Sequence, residues 1–519
     1  MLSRWKNHSW NFYFLLIVFV SMFIFFTSVH CLIIYDGDDW VNLSQMRLFV
    51  PMWRGFNPIK ILPETLMPLV GYLSGYAITP ITKNYVAAVT LLSALLVSGF
   101  ITLYMYLFNR FIGAFGERNW HREDFVCIII FLVHFLIFKQ KSNVSPYLFW
   151  SINLTCYYHY LIPALFNISL VLYFFRHEVN QDDVWTENRV RNSLFIVVLY
   201  FGIFSNILHS IILTAFIGAL LLEKEGKQLF FPKQWKRIFK ENRIYGSILS
   251  VWFISLIFEA NGGRARSIAT TGFVSSVLDT LKFLGHSLYQ VNLVFLISSL
   301  LVISFALYLA HRSKSAEACK IFRVIRISFV SMAFVFIYLV LVCSKAGPSY
   351  ISRTDVEIGI LFWYILIFGL SLTYLLMEHP KWVLVAPLAA LFILVEAVNG
   401  RSAFMESNFG RISPSTCYEV DMDILNQIQL ADQGESTELE LHVPKGDNRD
   451  NWPHPNYMGK NICNTLYRDG IISRTFKIKI VPDVNMNQHF TTFTLPRKLM
   501  KLVYTRPELS PLDFLRFGP

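Results

Sequence analysis

Charge is what this chain has least of. Only 16% of its 519 residues are Asp, Glu, Lys or Arg, against 54% hydrophobic and 16% aromatic. That balance excludes an ordinary soluble globule and reads as a polytopic α-helical membrane protein. Metal-ligand spacing is also missing: no Cys-x-x-Cys pair and no His-Glu-x-x-His helix occurs, so a zinc site has no support. No Gly-x-x-x-x-Gly-Lys-Ser/Thr loop is present, which argues against a nucleotide-driven pump. The formal charge of +11 lies wholly before residue 399, since acidic and basic residues balance beyond it. The excess therefore reports topology and lipid headgroups, and gives no support for nucleic-acid binding.

What is present is a series of apolar runs, at about 11–34, 84–108, 125–138, 163–175, 193–206, 207–222, 244–260, 290–310, 327–343, 358–377 and 382–398. A bilayer core of about 30 Å makes these about eleven expected transmembrane helices. The first follows Arg4 and Lys6 and is followed by no small-residue cleavage site, so it reads as a retained signal anchor. Lys and Arg divide between alternate connections by about two to one, which predicts the N-terminus inside and the C-terminus outside. The expected division is a transmembrane domain over 1–398 and an external domain over 399–519. In the latter, 438–443 and 475–481 alternate polar with apolar residues as half-exposed strands do, predicting a small α+β or β-rich unit. Cys417 and Cys463 lie there, where an oxidising compartment would allow a disulfide.

Polar groups gather on the expected outer side. Asp36, Asp38 and Asp39 follow the first apolar run directly, with Gly37 between them and Tyr35 and Trp40 flanking. An acidic cap is the plainer reading, but ionised groups at a membrane boundary are also available for chemistry on a lipid-borne substrate. The same loop holds Arg47, Arg54, Glu64 and an amphipathic segment over 41–56, expected to lie as helix on the membrane surface. A second outer loop, 139–162, carries Tyr157-Tyr-His-Tyr160, whose rings and His159 suit sugar faces as well as an interfacial belt. Later loops set Arg264 and Arg266, then Lys345 and Arg353, among small residues, which lets guanidinium and backbone approach a phosphate or a lipid headgroup. Glu259 stands near Arg264 as a candidate partner.

These features together resemble the GT-C superfamily of polyprenyl-phosphate-sugar glycosyltransferases. Asp36-Gly-Asp-Asp-Trp40, Tyr157-Tyr-His-Tyr-Leu-Ile-Pro163 and Asn451-Trp-Pro-His-Pro-Asn-Tyr-Met458 resemble the serotype-converting O-antigen glucosyltransferases encoded by phages and genomic islands. The superfamily resemblance spans the whole chain and rests on architecture and one short acidic motif. It implies a multi-pass enzyme of the bacterial inner membrane with a periplasmic C-terminal domain. The donor would be undecaprenyl-phosphate-glucose and the acceptor an O-antigen repeat of lipopolysaccharide, with a flippase and a donor-synthesising glucosyltransferase from the same gene cluster as pathway partners. No cofactor and no metal is implied.

Such a reaction needs a base for the acceptor hydroxyl and cations for the leaving phosphate. Asp38 or Asp39 is the expected base, with Asp36 positioning it. Arg264, Arg266, Lys345 and Arg353 are candidates for the donor phosphate; His159, Tyr160, Trp40 and Glu64 are candidates for sugar contacts. The alternatives are a polymerase or ligase of the same pathway, a polytopic transporter, and a receptor reading ligands with its external domain. The nearly charge-free spans argue against the transporter.

Overall fold

In a bilayer each backbone N–H and C=O must be satisfied within its own segment, so uncharged runs of this length fold as helices. The computed structural model describes residues 2–44, 57–116, 119–139, 146–260, 272–313, 315–378, 408, 412–445, 452–453 and 458–491. The helices are α1 (Leu2–Ile24), α2 (Gly37–Asn42), α3 (Pro63–Leu73), α4 (Thr79–Thr82), α5 (Tyr85–Ile112), α6 (Trp120–Leu136), α7 (Leu154–Cys156) and α8 (Ile162–Asn180). They continue with α9 (Arg189–Ile203), α10 (Ile207–Glu225), α11 (Pro232–Glu241), α12 (Arg243–Ala260), α13 (Phe273–Gln290), α14 (Leu293–Arg312), α15 (Ala316–Ala346) and α16 (Thr354–Glu378). The tail adds α17 (Pro414–Gln433), β1 (Glu438–Pro444), α18 (Gly459–Arg468), β2 (Lys477–Asp483) and α19 (Val484–Thr491).

Eight helical segments among the described residues are long and apolar enough to cross a membrane, and the chain is a polytopic helical membrane protein. Two more expected runs are helical but shorter, α6 at 17 residues and α9 at 15. The last expected run, 382–398, lies outside the described residues. Asn is the N-cap of α5, α6, α7, α9, α10 and α14, its side-chain oxygen taking an otherwise orphaned N–H. Helix α8, with α10 and α16, forms the most enclosed part of the bundle, where Phe175, Phe216 and Trp363 interlock. Because lipid tails are as apolar as these side chains, it is close packing and not water exclusion that holds the spans together.

In the tail, the two expected strands are present and pair in parallel, Glu438 opposite Lys477 and Leu441 opposite Ile480. Parallel neighbours require a crossover, and α18 lies within it. Leu441, Val443, Ile478 and Ile480 face inward toward α17 and α18, while the Glu438–Lys477 and Glu440–Lys479 pairs are exposed and add little to stability. Cys417 and Cys463 are buried free thiols, so the disulfide considered from the sequence is not formed.

This tail sits on the loop that follows α1. A Cβ on Gly75 would lie 1.9 Å from the Asp469 carbonyl oxygen, and one on Gly71 2.3 Å from the Leu43 carbonyl oxygen, so glycine permits the approach at both. Tyr85 donates to the Asp469 carboxylate at 2.5 Å, and Thr465 donates to the Trp40 carbonyl at 2.7 Å. Trp452 stacks on Tyr35 at 5.6 Å, which brings this one residue of the tail motif against the start of the acidic stretch. The tail thereby holds α2 in place from behind.

Candidate functional site

The acidic stretch divides its labour. Asp36 is the N-cap of α2: its Oδ1 accepts from the Asp38 N–H at 3.0 Å, and its Oδ2 accepts from Asn153 Nδ2 at 2.9 Å. Asp39 is fully buried. Its Oδ2 accepts from the Tyr35 and Asp36 N–H groups at 3.0 Å, and its Oδ1 from both the N–H and the hydroxyl of Thr155 at 2.6 Å. Two helix starts, α2 and α7, thus face each other through carboxylates, where the exposed N–H dipoles favour negative charge. Asp38 stands apart: it is exposed, and its carboxylate takes no hydrogen bond among the described residues.

Electrostatics follow burial. Asp36 is pushed up to about 7, first by desolvation and then by the charge of Asp39. Burial raises Asp39 as well, while the Thr155 hydroxyl and three backbone N–H groups pull it back. Four donors and no acceptor surround that carboxyl, an arrangement that fits its ionised form.

Asp38 opens onto a cleft of about 530 Å³. Lys60 and Glu64 line one side, from the start of α3; His159 and Tyr160 come from the long helix, Glu259 from the end of α12, and Arg353 from the residue before α16. Lys60 adopts a left-handed backbone, φ 68°, and its N–H donates to the Phe204 carbonyl at 2.7 Å. Such a conformation is uncommon for a residue with a Cβ and persists here because a second element clamps it. Arg353 donates to Asp355 through Nε at 2.9 Å and Nη2 at 2.7 Å, and its guanidinium lies 4.3 Å from the centre of the Tyr160 ring. Ser151 in turn donates to Asp355 at 2.6 Å. The guanidinium is therefore fixed in position by a planar fork and a stacked ring.

Six residues singled out from the sequence meet at this cleft: Asp38, Glu64, His159, Tyr160, Glu259 and Arg353. Trp40 does not; it is fully buried and stacks against Tyr85. Lys345 is exposed and does not line the cleft. Arg264 and Arg266 lie outside the described residues, as do Arg47, Arg54 and most of the 41–56 segment.

One expectation needs correcting. The aromatic stretch 157–161 is not loop but a π-helical turn, joined to α7 and α8 in a single apolar helical run, Leu154–Asn180. The extra residue in such a turn re-aims side chains and is common at functional sites. Residues that sequence reasoning passed over include Lys60, Asn153 and the buried carboxylates Asp355 and Glu357 in the first turn of α16. Among the described residues no three His, Cys, Asp or Glu side chains group as metal ligands. The cleft combines three carboxylates, two cations and aromatic faces, which suits proton transfer beside a bound anion. Compared with known proteins, the chain matches no family model, no curated protein and no solved structure.

Proposed function

We propose that this chain is a polyprenyl-phosphate-sugar-dependent membrane glycosyltransferase. It moves a glucosyl group from undecaprenyl-phosphate-glucose to a hydroxyl of an O-antigen repeat, at the periplasmic face of the bacterial inner membrane. The observation that carries this reading is the cleft at the end of the first span, which joins an exposed carboxylate, Asp38, to Lys60, Arg353 and aromatic residues.

In the proposed step Asp38 takes the proton of the acceptor hydroxyl. The hydroxyl oxygen bonds to the anomeric carbon while the bond from that carbon to the phosphate oxygen breaks. The bonding pair leaves on undecaprenyl phosphate. Lys60 and Arg353 face the charge that develops there. Asp355 fixes the Arg353 guanidinium, so Arg353 contributes oriented N–H groups, and Lys60 adds a second cation. Tyr160, whose ring lies under the Arg353 guanidinium, and His159 provide the sugar-facing wall.

The test is donor dependence. The full chain in lipid nanodiscs, given an O-antigen repeat, should add one hexosyl unit with undecaprenyl-phosphate-glucose and none with UDP-glucose. Transfer from the nucleotide sugar alone, or joining of repeats without hexosyl addition, would overturn it.

A further inference from the structure

Helix α11 lies between two spans, the segment ending at Leu229 and α12, which begins at Arg243, so both of its ends are tied to the membrane boundary. At about 100° per residue, Trp235, Ile238 and Phe239 share one third of its circumference, with Phe231 as the N-cap residue before the helix, and Lys233, Lys236, Arg237 and Lys240 share the opposite third. The apolar side is only partly covered. Ile238 is buried and Phe239 packs against Gly246 of α12, where a Cβ would come within 2.6 Å of its ring. Phe231, Trp235 and Phe239 nonetheless remain exposed, at 60%, 53% and 49%. A soluble connection between helices has no reason to leave three large rings in water beside four cations.

We infer that α11 is an interfacial helix that binds the anionic headgroup layer of the membrane its neighbours cross. Its rings insert at the level of the acyl boundary, and its lysines reach the phosphates around them. Charge complementarity selects this occupant: Arg237 is paired with Glu225, but Lys233, Lys236 and Lys240 make no ion pair among the described residues. The cations near the bilayer surface then draw acidic lipids within a Debye length. The contact with α12 sets the rotation of the helix, so the inserted face is fixed before any lipid binds.

The test uses the full chain with Cys319→Ser, which removes the one exposed cysteine among the described residues. A nitroxide is attached at Phe231→Cys or, separately, at Lys236→Cys, in nanodiscs of phosphatidylcholine alone or with phosphatidylglycerol. With phosphatidylglycerol, the label at 231 should favour collision with oxygen over a water-soluble nickel complex, and the label at 236 the reverse. Lys233→Glu, Lys236→Glu and Lys240→Glu together should abolish the burial at 231. Equal water access at the two positions would overturn the insertion; unchanged depth at 231 without phosphatidylglycerol, or in the charge-reversed variant, would overturn the role of anionic lipid.

Discussion

Asp39 Oδ1 accepts two hydrogen bonds from Thr155, from its N–H and its hydroxyl, each at 2.6 Å, across 116 positions of sequence. This contact ties the loop after the first span to the start of the apolar helical run Leu154–Asn180. It also decides which carboxylate of the acidic stretch holds structure and which faces the cleft.

Asp39→Asn should therefore act on folding. The new amide would present N–H donors where backbone N–H groups already point, a loss of about 3 kcal/mol. The measurement is thermal unfolding of the purified chain in detergent, with the yield of folded protein from membranes. Wild-type stability and yield would show that the Thr155 contact is dispensable.

Docking of the tail depends on Gly75. Gly75→Ala places a methyl on the Asp469 carbonyl, and backbone cannot yield as a side-chain end can. Limited proteolysis should then cut the tail much faster, while Gly99→Ala, where nothing lies within 4 Å of an added Cβ, should leave the pattern unchanged. Equal cutting of the two variants would contradict the docking.

The same junction should respond to pH through Asp469. Desolvation raises its carboxyl to about 7, against the Tyr85 hydrogen bond and the nearby Arg468 charge. A raised acid binds its proton more tightly folded than unfolded, so its stabilisation is complete below about 4 and lost as pH rises to about 7. Asp469→Asn keeps an acceptor for Tyr85 and cannot ionise. The wild type should lose melting temperature relative to this variant between pH 5 and pH 7, and hold a constant difference above; parallel curves throughout would refute the assignment.

Arg353 and Lys60 should separate in kinetics. Arg353→Lys loses the fork to Asp355 and the guanidinium's contact with the Tyr160 ring, and donor KM should rise by about 10- to 100-fold. Lys60→Met removes charge without touching that fork, and should lower kcat more than it raises KM. Normal kinetics in both variants would place the phosphate elsewhere.

The spans were readable because uncharged runs have few other places to go, and the strands because Glu438 to Val443 and Phe476 to Val481 alternate cleanly. Their parallel register was not, since it depends on the crossover through α18 rather than on either strand. Asp355 and Glu357 were missed because hydropathy starts a span after its last charge, whereas the helix starts at Thr354 and buries both. Tyr157 to Leu161 reads as loop because tyrosines and a histidine break the apolar run, yet they pack inside the bundle, where Tyr157 bonds His30 at 2.8 Å. Lys60 carries no local pattern; the Phe204 carbonyl that clamps its backbone is far along the chain. Asp38 and Asp39 look alike in sequence, and they part through Thr155 and the Tyr35 and Asp36 N–H groups, all of which bond Asp39.

The central claim is that Asp38 is the base of a sugar transfer. Asp38→Asn removes the proton-accepting charge from an exposed side chain that bonds to nothing among the described residues, so membrane level and unfolding temperature should stay at the wild-type value. The measurement is hexosyl addition to the O-antigen repeat by mass, per amount of folded enzyme. A loss of about 10²- to 10⁴-fold is expected; addition at the wild-type rate by well-folded Asp38→Asn protein would rule Asp38 out as the base.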